Sequence, residues 1–269
     1  MPSRVTMEDV AERAGVSVTT VSHVVNATRP VSNDLRQRVL AAMEALGYRP
    51  NLLARSLRRG HTHTVGMILP DNVNPFFAEV ARGVEDEAFA RGYSVILCNT
   101  DGDVEKEGFY ATLLAEKRVD GILFVAAGGG TEQVHALVAR GMPLVVVDRE
   151  VPDLPVDQVL TDNARGGWLA TQHLVALGHR RIGCITGPSD VTPSAQRVTG
   201  YRRALEEMGI PADEHLVVRG DFQYASGHDA ARRLLALDDP PTAIFACNDL
   251  MAVGAISAAV ALGRRVPED

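Results

Sequence analysis

From Thr6 to Asn26 the chain reads Thr-Met-Glu-Asp-Val-Ala-Glu-Arg-Ala-Gly-Val-Ser-Val-Thr-Thr-Val-Ser-His-Val-Val-Asn, and the rest of the sequence is best read outward from it. The pattern predicts two short helices joined by a tight turn. Thr6 is placed to N-cap the first, with Asp9 three residues on to meet the unpaired N–H groups of the first turn. Val10, Ala11 and Ala14 fall at helical spacing and supply the apolar side. Gly15 gives the turn its backbone freedom. Ser17 then caps a second helix in which Val21, Val24 and Val25 face inward, leaving Val18, Thr19, Ser22, His23 and Asn26 outward. A helix-turn-helix presents a recognition helix to the DNA major groove in this way.

A third helix over residues 33–46 closes a small core through Leu35, Val39, Leu40, Met43 and Leu46, and Gly47 is a natural stop. Next comes Arg-Pro-Asn-Leu-Leu-Ala-Arg-Ser-Leu-Arg-Arg-Gly at 49–60. Pro50 disfavours helical φ/ψ at Arg49, and Asn51 can cap a new helix reaching about Leu57. Two turns fall well short of the ~12–15 residues at which an isolated helix becomes marginal, so this one is expected to form only against a partner. Leu53 and Leu57 share one of its faces.

Charge divides the chain the same way. Residues 1–60 hold nine arginines against five acidic residues, whereas the remainder holds 18 basic against 29 acidic, within a whole-chain net charge of −7. A basic head on an acidic body fits DNA contact at one end and argues against a general nucleic-acid coat protein.

The body alternates strand-like and helix-like runs. Residues 64–69, 93–99, 119–125 and 143–148 are short, apolar and β-branched, the composition of strands buried on both faces, with amphipathic segments near 75–91, 103–118 and 131–140. A second series places strands at 158–161, 181–186, 216–219 and 243–247, with helices near 164–177, 194–208, 225–237 and 250–262. Gly92, Gly141, Gly178, Gly209 and Gly263 each follow a helical pattern, as helix-ending glycines do. Two such series predict two parallel-sheet lobes with a crevice outside the strand C-termini. The expected architecture is an all-α helix-turn-helix head (1–48), a hinge helix and linker (49–62), and an α/β two-lobed body (63–155 and 156–269).

Candidate ligand groups sit at the predicted strand ends: Phe76 and Phe77 after the first, Asp148 after the fourth, Phe222 and Asn248-Asp249 in the second series, and Arg197 opening a helix there. An apolar wall with a few converging polar groups suits a small molecule. Phe77 suits a core position equally well, and Asp148 a loop cap. Cys98, Cys184 and Cys247 lack metal-type spacing and read as buried, reduced thiols. Gly128-Gly129-Gly130 lacks the flanking residues of a phosphate loop. His61 and His63 read as linker, and Trp168 as packing. No nucleophile–base pair or metal cluster points to an enzyme, and no cofactor is called for. No apolar run spans a bilayer and no secretory signal opens the chain, so a cytoplasmic location is expected.

Thr-Met-Glu-Asp-Val-Ala at 6–11, Gly-Val-Ser at 15–17, Thr-Val-Ser-His-Val-Val-Asn at 20–26, Leu-Gly-Tyr-Arg-Pro-Asn at 46–51 and Ala-Arg-Ser-Leu at 54–57 resemble the DNA-binding head and hinge of the lactose-repressor (LacI/GalR) family. In head motif the chain is nearest to the purine-repressor members. The resemblance implies a type I periplasmic-binding-protein-like body and a homodimeric regulator, expected to be a repressor, that binds a palindromic double-stranded operator under a small-molecule effector. It implies that Thr19, His23 and Arg29 approach base edges, that Thr6, Ser17, Thr20, Ser22 and Asn26 hold the backbone, and that Val18 offers only apolar contact. It further implies that paired hinge helices pack through Leu53 and wedge Leu57 into the minor groove, with Asn51 capping and Arg55 and Arg58 on phosphates. In the body, the aromatic residues would stack on the effector while Asp148, Arg197, Asn248 and Asp249 bond its polar edge.

Two departures stand out. Where the purine repressor's loop carries an arginine and a threonine, this chain has Val191 and Pro193, which favours a sugar or sugar-like effector over a purine. Family members also continue past Asp269 with a further strand and a ligand aspartate, so the body is expected to be incomplete at that end. The alternatives are a periplasmic-type sugar-binding protein without regulatory role and a truncated DNA binder that has lost sensing.

Overall fold

The computed structural model describes residues 5–49, 60–126, 132–151, 154–188 and 191–269. The hinge positions Asn51, Leu53, Arg55, Leu57 and Arg58, and the glycines at 128–130, lie outside these. The chain forms two compact units, Met1–Thr62 and His63–Asp269.

In the first unit, α1 (Met7–Ala14), α2 (Val18–Asn26) and α3 (Asn33–Leu46) form where the capping and periodicity place them. Thr6 and Asp9 make a reciprocal capping box: Asp9 N–H donates to Thr6 Oγ1 at 3.3 Å, and Thr6 N–H and Oγ1–H donate to the Asp9 carboxylate at 2.8 and 2.9 Å. Gly15 closes α1 at φ 62°. Arg38 on α3 donates to the carbonyls of Ala14 and Gly15 at 2.7 and 3.1 Å, so a cation covers the negative end of α1. Val10, Ala11, Ala14, Val21, Val39 and Ala42 are buried together. Leu40 departs from expectation at 42% exposed. Val39, Ala42, Met43 and Leu46 already fill the inward stripe, and Leu40, one residue round from Val39, falls outside it.

The Thr6 hydrogen bonds hold the Asp9 carboxyl below the usual aspartate range. A carboxyl with a depressed pKa in the folded state stabilises the fold above its unfolded value of ~3.9, and that contribution disappears as pH falls through the folded value. Asp9→Asn should therefore flatten the acid limb of the head's melting temperature against pH, followed by circular dichroism.

The second unit carries two parallel sheets. The first runs in the order β2 (Ser94–Asn99), β1 (Thr64–Leu69), β3 (Gly121–Phe124), β4 (Leu144–Val147), β5 (Asp157–Val159), with α4 (Pro75–Ala90), α5 (Val104–Glu116) and α6 (Glu132–Ala139) as connections. The second runs β7 (Val217–Arg219), β6 (Ile182–Thr186), β8 (Ala243–Ala246), with α7 (Asn163–Ala176), α8 (Thr192–Glu207), α9 (Tyr224–Leu235) and α10 (Asp249–Ala261). The strand expected to open the second series is instead the last strand of the first sheet, since Val145, Val146 and Val147 pair with Asp157, Gln158 and Val159. The crossover between lobes therefore follows Val159. β2, expected to be covered on both faces, is an edge strand with Ile96 and Leu97 38% and 43% exposed. The five helix-ending glycines all take positive φ.

One face of the first sheet buries Ile68, Leu114, Phe124, Val134, Leu137 and Val146, and the other buries Met67, Leu69, Phe77 and Val125. In the second lobe Ile182, Cys184, Tyr201, Leu205, Leu234 and Met251 form one cluster. Its helices cross in pairs at glycines. A Cβ on Gly167 of α7 would lie 2.1 Å from the Arg197 carbonyl oxygen of α8, and one on Gly200 would lie 2.0 Å from that of Ala164. Gly227 and Gly254 bring α9 and α10 together likewise, with 2.3 and 2.2 Å to the Met251 and Tyr224 carbonyls. Only glycine allows backbones that close. All three cysteines are buried free thiols, and no helix among the described residues is long and apolar enough to cross a membrane.

Candidate functional site

In the head, Ser17 Oγ accepts from Thr20 N–H at 3.1 Å and lies 2.9 Å from Thr20 Oγ1, which fixes the start of α2. Val18 is 39% exposed, and Thr19 and Arg29 are exposed. Ser22, His23 and Asn26 are half-buried rather than fully outward. Asn26 Nδ2 donates to the Ser22 carbonyl and hydroxyl at 2.9 and 3.3 Å, and His23 Nδ1 lies 2.8 Å from Thr28 Oγ1. The imidazole is thus oriented by Thr28, two residues past the end of α2. These contacts hold a short polar helix face in fixed rotamers, as side-chain readout of base edges needs.

In the body, Phe76, Phe77, Asp148, Arg197, Phe222, Asn248 and Asp249 all line one cleft of about 360 Å³. Six of the seven follow a strand C-terminus, with Asp148, Phe222 and Asn248 in the loops beyond it, Phe76 and Phe77 in the first turn of α4 and Asp249 opening α10, and Arg197 comes from α8. The chain direction explains the convergence: in parallel sheets every strand end opens on the same side. Phe77 does both things open to it, being 9% exposed among core residues while its edge lines the cleft. Phe76 meets it edge-on at 5.1 Å and is 45% exposed.

Asp148 follows β4 at φ 68°, and Arg149 N–H donates across it to the Val147 carbonyl at 2.8 Å. This is a γ-turn of the strained, positive-φ kind. Burial pushes the Asp148 carboxyl up, and the Arg149 and Arg197 charges pull it back. Phe222 also sits at positive φ, 70°. Its ring lies where a Cβ on Gly187 would be, 2.2 Å away, and its carbonyl accepts from Asn248 Nδ2 at 2.8 Å. Asn248 Oδ1 meanwhile caps α10 through Met251 N–H at 3.1 Å. Backbone strain of about 1–3 kcal/mol per residue persists where the surroundings over-determine it, and such residues cluster at ligand sites.

Arg197 Nε–H donates to Asn163 Oδ1 at 2.9 Å, and one terminal nitrogen donates to the Cys247 carbonyl at 2.5 Å. Asn74 and Arg149, within the strand-end stretches that the sequence points to, also line the cleft, as do Thr161, Asp162 and Asn163, which were not singled out from sequence. Asp162 and Asn163 directly follow a strand-like run, the one signal that would have found them. Val191 and Pro193 line the cleft as well, with no side-chain hydrogen-bonding group. Trp168, half-buried on α7, donates to Glu207 at 2.7 Å and lies under the Arg165 guanidinium. No group of three or more potential metal ligands occurs among the described residues.

Residues 6–51 match the model of bacterial regulatory proteins of the lacI family, and residues 62–268 match that of periplasmic binding proteins and the sugar binding domain of the LacI family. The chain belongs to the LacI family. It is 43% identical over 267 residues to the HTH-type transcriptional repressor PurR of Aliivibrio salmonicida, covering 98% of this chain and 80% of that protein. It is 40% identical over 269 residues to the HTH-type transcriptional regulator DegA of Bacillus subtilis, covering 99% and 80%. Among solved structures, the lac repressor dimer bound to operator and the anti-inducer ONPF superposes with a TM-score of 0.88 at 30% identity, covering 99% of this chain and 81% of that one. A complex of the transcriptional regulator CelR with cellobiose gives 0.71 at 38% identity, with the same coverage. This LacI-family chain is a DNA-binding transcriptional regulator under effector control, related to repressors and not to enzymes.

Proposed function

We propose that the chain is a cytoplasmic repressor that binds a palindromic operator as a homodimer, and that a sugar or sugar-like molecule in the body's cleft is its effector. The observation that carries the effector assignment is the lining around Arg197. Aromatic rings at 76, 77 and 222 offer an apolar wall and Asp148, Arg197 and Asn248 offer polar groups, while Val191 and Pro193 supply no donors. Such a wall suits the C–H face of a sugar ring, and the polar groups suit its hydroxyls. The identity to PurR favours a purine instead, and the two readings part in one experiment.

For the head, Thr19, His23 and Arg29 are proposed to read bases, with Val18 against a thymine methyl. Leu53 and Leu57 are proposed to pair and wedge the hinge helices, with Arg55 and Arg58 on phosphates and Asn51 as cap. The effector acts only through unequal affinity for the DNA-competent and DNA-incompetent states.

A thermal-shift screen of the full chain against D-ribose, D-glucose, cellobiose and hypoxanthine tests the assignment. A ligand at about 100 times its Kd adds about 2.7 kcal/mol, roughly 5–10 °C for a body of this size. A sugar is expected to give that shift and to change operator affinity in a gel-shift titration. A shift with hypoxanthine alone would replace the sugar reading by the purine one.

A further inference from the structure

Asn163 begins α7, directly after the segment that crosses from the first lobe's β5 into the second lobe. We infer that Asn163 is a positioning residue for effector recognition: its amide fixes the Arg197 guanidinium and ties it to the interlobe crossover at Thr161. This rests on the effector role proposed above for the cleft.

Three observations support it. First, Asn163 is 3% exposed, and both ends of its amide are engaged. Oδ1 accepts Arg197 Nε–H at 2.9 Å, Nδ2 donates to the Thr161 carbonyl at 3.0 Å, and the backbone N–H donates to that same carbonyl at 2.8 Å. A buried amide is costly unless bonded in this way, so the orientation is strongly favoured. Second, the Arg197 main chain has no room to shift towards α7, because its carbonyl already lies where a Cβ on Gly167 would be. What remains free is the side chain, and Asn163 Oδ1 with the Cys247 carbonyl takes up two of its five N–H donors. The other three stay on the terminal nitrogens. Third, Thr161 lies between the last strand of one sheet and the first helix of the other lobe. A ligand that pulls on Arg197 therefore pulls, through one amide, on the connection between the lobes.

The test compares wild type, Asn163→Ala, Asn163→Asp and Arg197→Lys as full chains. Solvent exchange of the Arg197 Nε–H, read in 15N–1H spectra without ligand, is expected to be slow in wild type and at least about tenfold faster in Asn163→Ala. Asn163→Asp keeps the acceptor and should restore slow exchange. Calorimetric titration with D-ribose, D-glucose, cellobiose and hypoxanthine should show about tenfold weaker binding in Asn163→Ala, the loss of one hydrogen bond to a charged group, with Asn163→Asp recovering most of it. A residue that merely held the fold would lower the melting temperature without this pattern of rescue. Asn163→Ser, which keeps a helix-start residue too short to reach Arg197, replaces alanine if that variant does not fold. Unchanged exchange or unchanged affinity in a folded Asn163→Ala chain, while Arg197→Lys still loses affinity, overturns the positioning role and leaves the effector site standing. Unchanged affinity in Arg197→Lys overturns both.

Discussion

Alanine at Gly200 is expected to lower the unfolding midpoint of the body by about 6–12 °C. The added methyl would sit 2.0 Å from the Ala164 carbonyl oxygen and 2.6 Å from the Trp168 nitrogen. Both are helix backbone, so no side chain can swing aside, and α7 and α8 must part along their whole contact. Overpacking of this kind costs about 3 kcal/mol. The loss would spread, because Tyr201 and Leu205 follow on α8 and anchor the second lobe's core. Gly83 on α4 supplies the control: a Cβ there meets nothing within 4 Å, so Gly83→Ala should be neutral or stabilising by up to about 1 kcal/mol. Differential scanning calorimetry of the two variants beside wild type decides the matter. A Gly200→Ala transition within a degree of wild type would mean that the two helices do not approach as described.

The largest functional loss is expected from Arg197→Lys, a change that preserves charge. If Arg197 served the cleft as a positive charge alone, lysine would retain most effector affinity. Its role as described is geometric. The guanidinium reaches Asn163 through Nε and Cys247 through a terminal nitrogen while presenting further donors to the cleft. An ammonium on a flexible stem cannot span those two acceptors in a plane. Asn163 Oδ1 and the Cys247 carbonyl would then lose a shared partner in a site that excludes much of the solvent. Together these effects are worth about 2 kcal/mol or more, hence at least about a thirtyfold rise in effector Kd. Isothermal titration with whichever probe shifts the wild-type melting curve gives the number, and a Kd within threefold of wild type would restore the simpler charge account.

Much of this was legible in the residues themselves, for physical reasons. Local signals placed the head helices because caps and turns act over three or four residues: Thr6 with Asp9, Ser17 with Thr20, and the glycines at 15 and 47. Six of the seven cleft residues were legible because the ends of parallel strands gather on one side whatever the sheet order, and Arg197 because it lies near the start of a helix in the same series. Sheet membership was not. The three residues of β5 carry no mark of which sheet they join, and only pairing with β4 reveals it. Leu40 was misplaced because a helical stripe can be drawn one residue too wide. The reason for glycine at 167 and 200, inside helical runs, shows only once the opposing backbone is in view. Asn163 was missed because its partner lies on another helix, and Asp-Asn before a helix reads as an ordinary cap. The base-reading and hinge roles rest on residue chemistry and family likeness, with the hinge positions outside the described residues.

Asp148 and Phe222, one in each lobe, hold left-handed backbone that glycine would adopt with about 1–2 kcal/mol less strain. Directed evolution for heat resistance would thus be drawn to glycine at Asp148, where the gain would strip a carboxylate from the chamber wall, whereas at Phe222 the ring packed on the second lobe's core outweighs the strain. Hardiness and responsiveness are set against each other at one address in this chain.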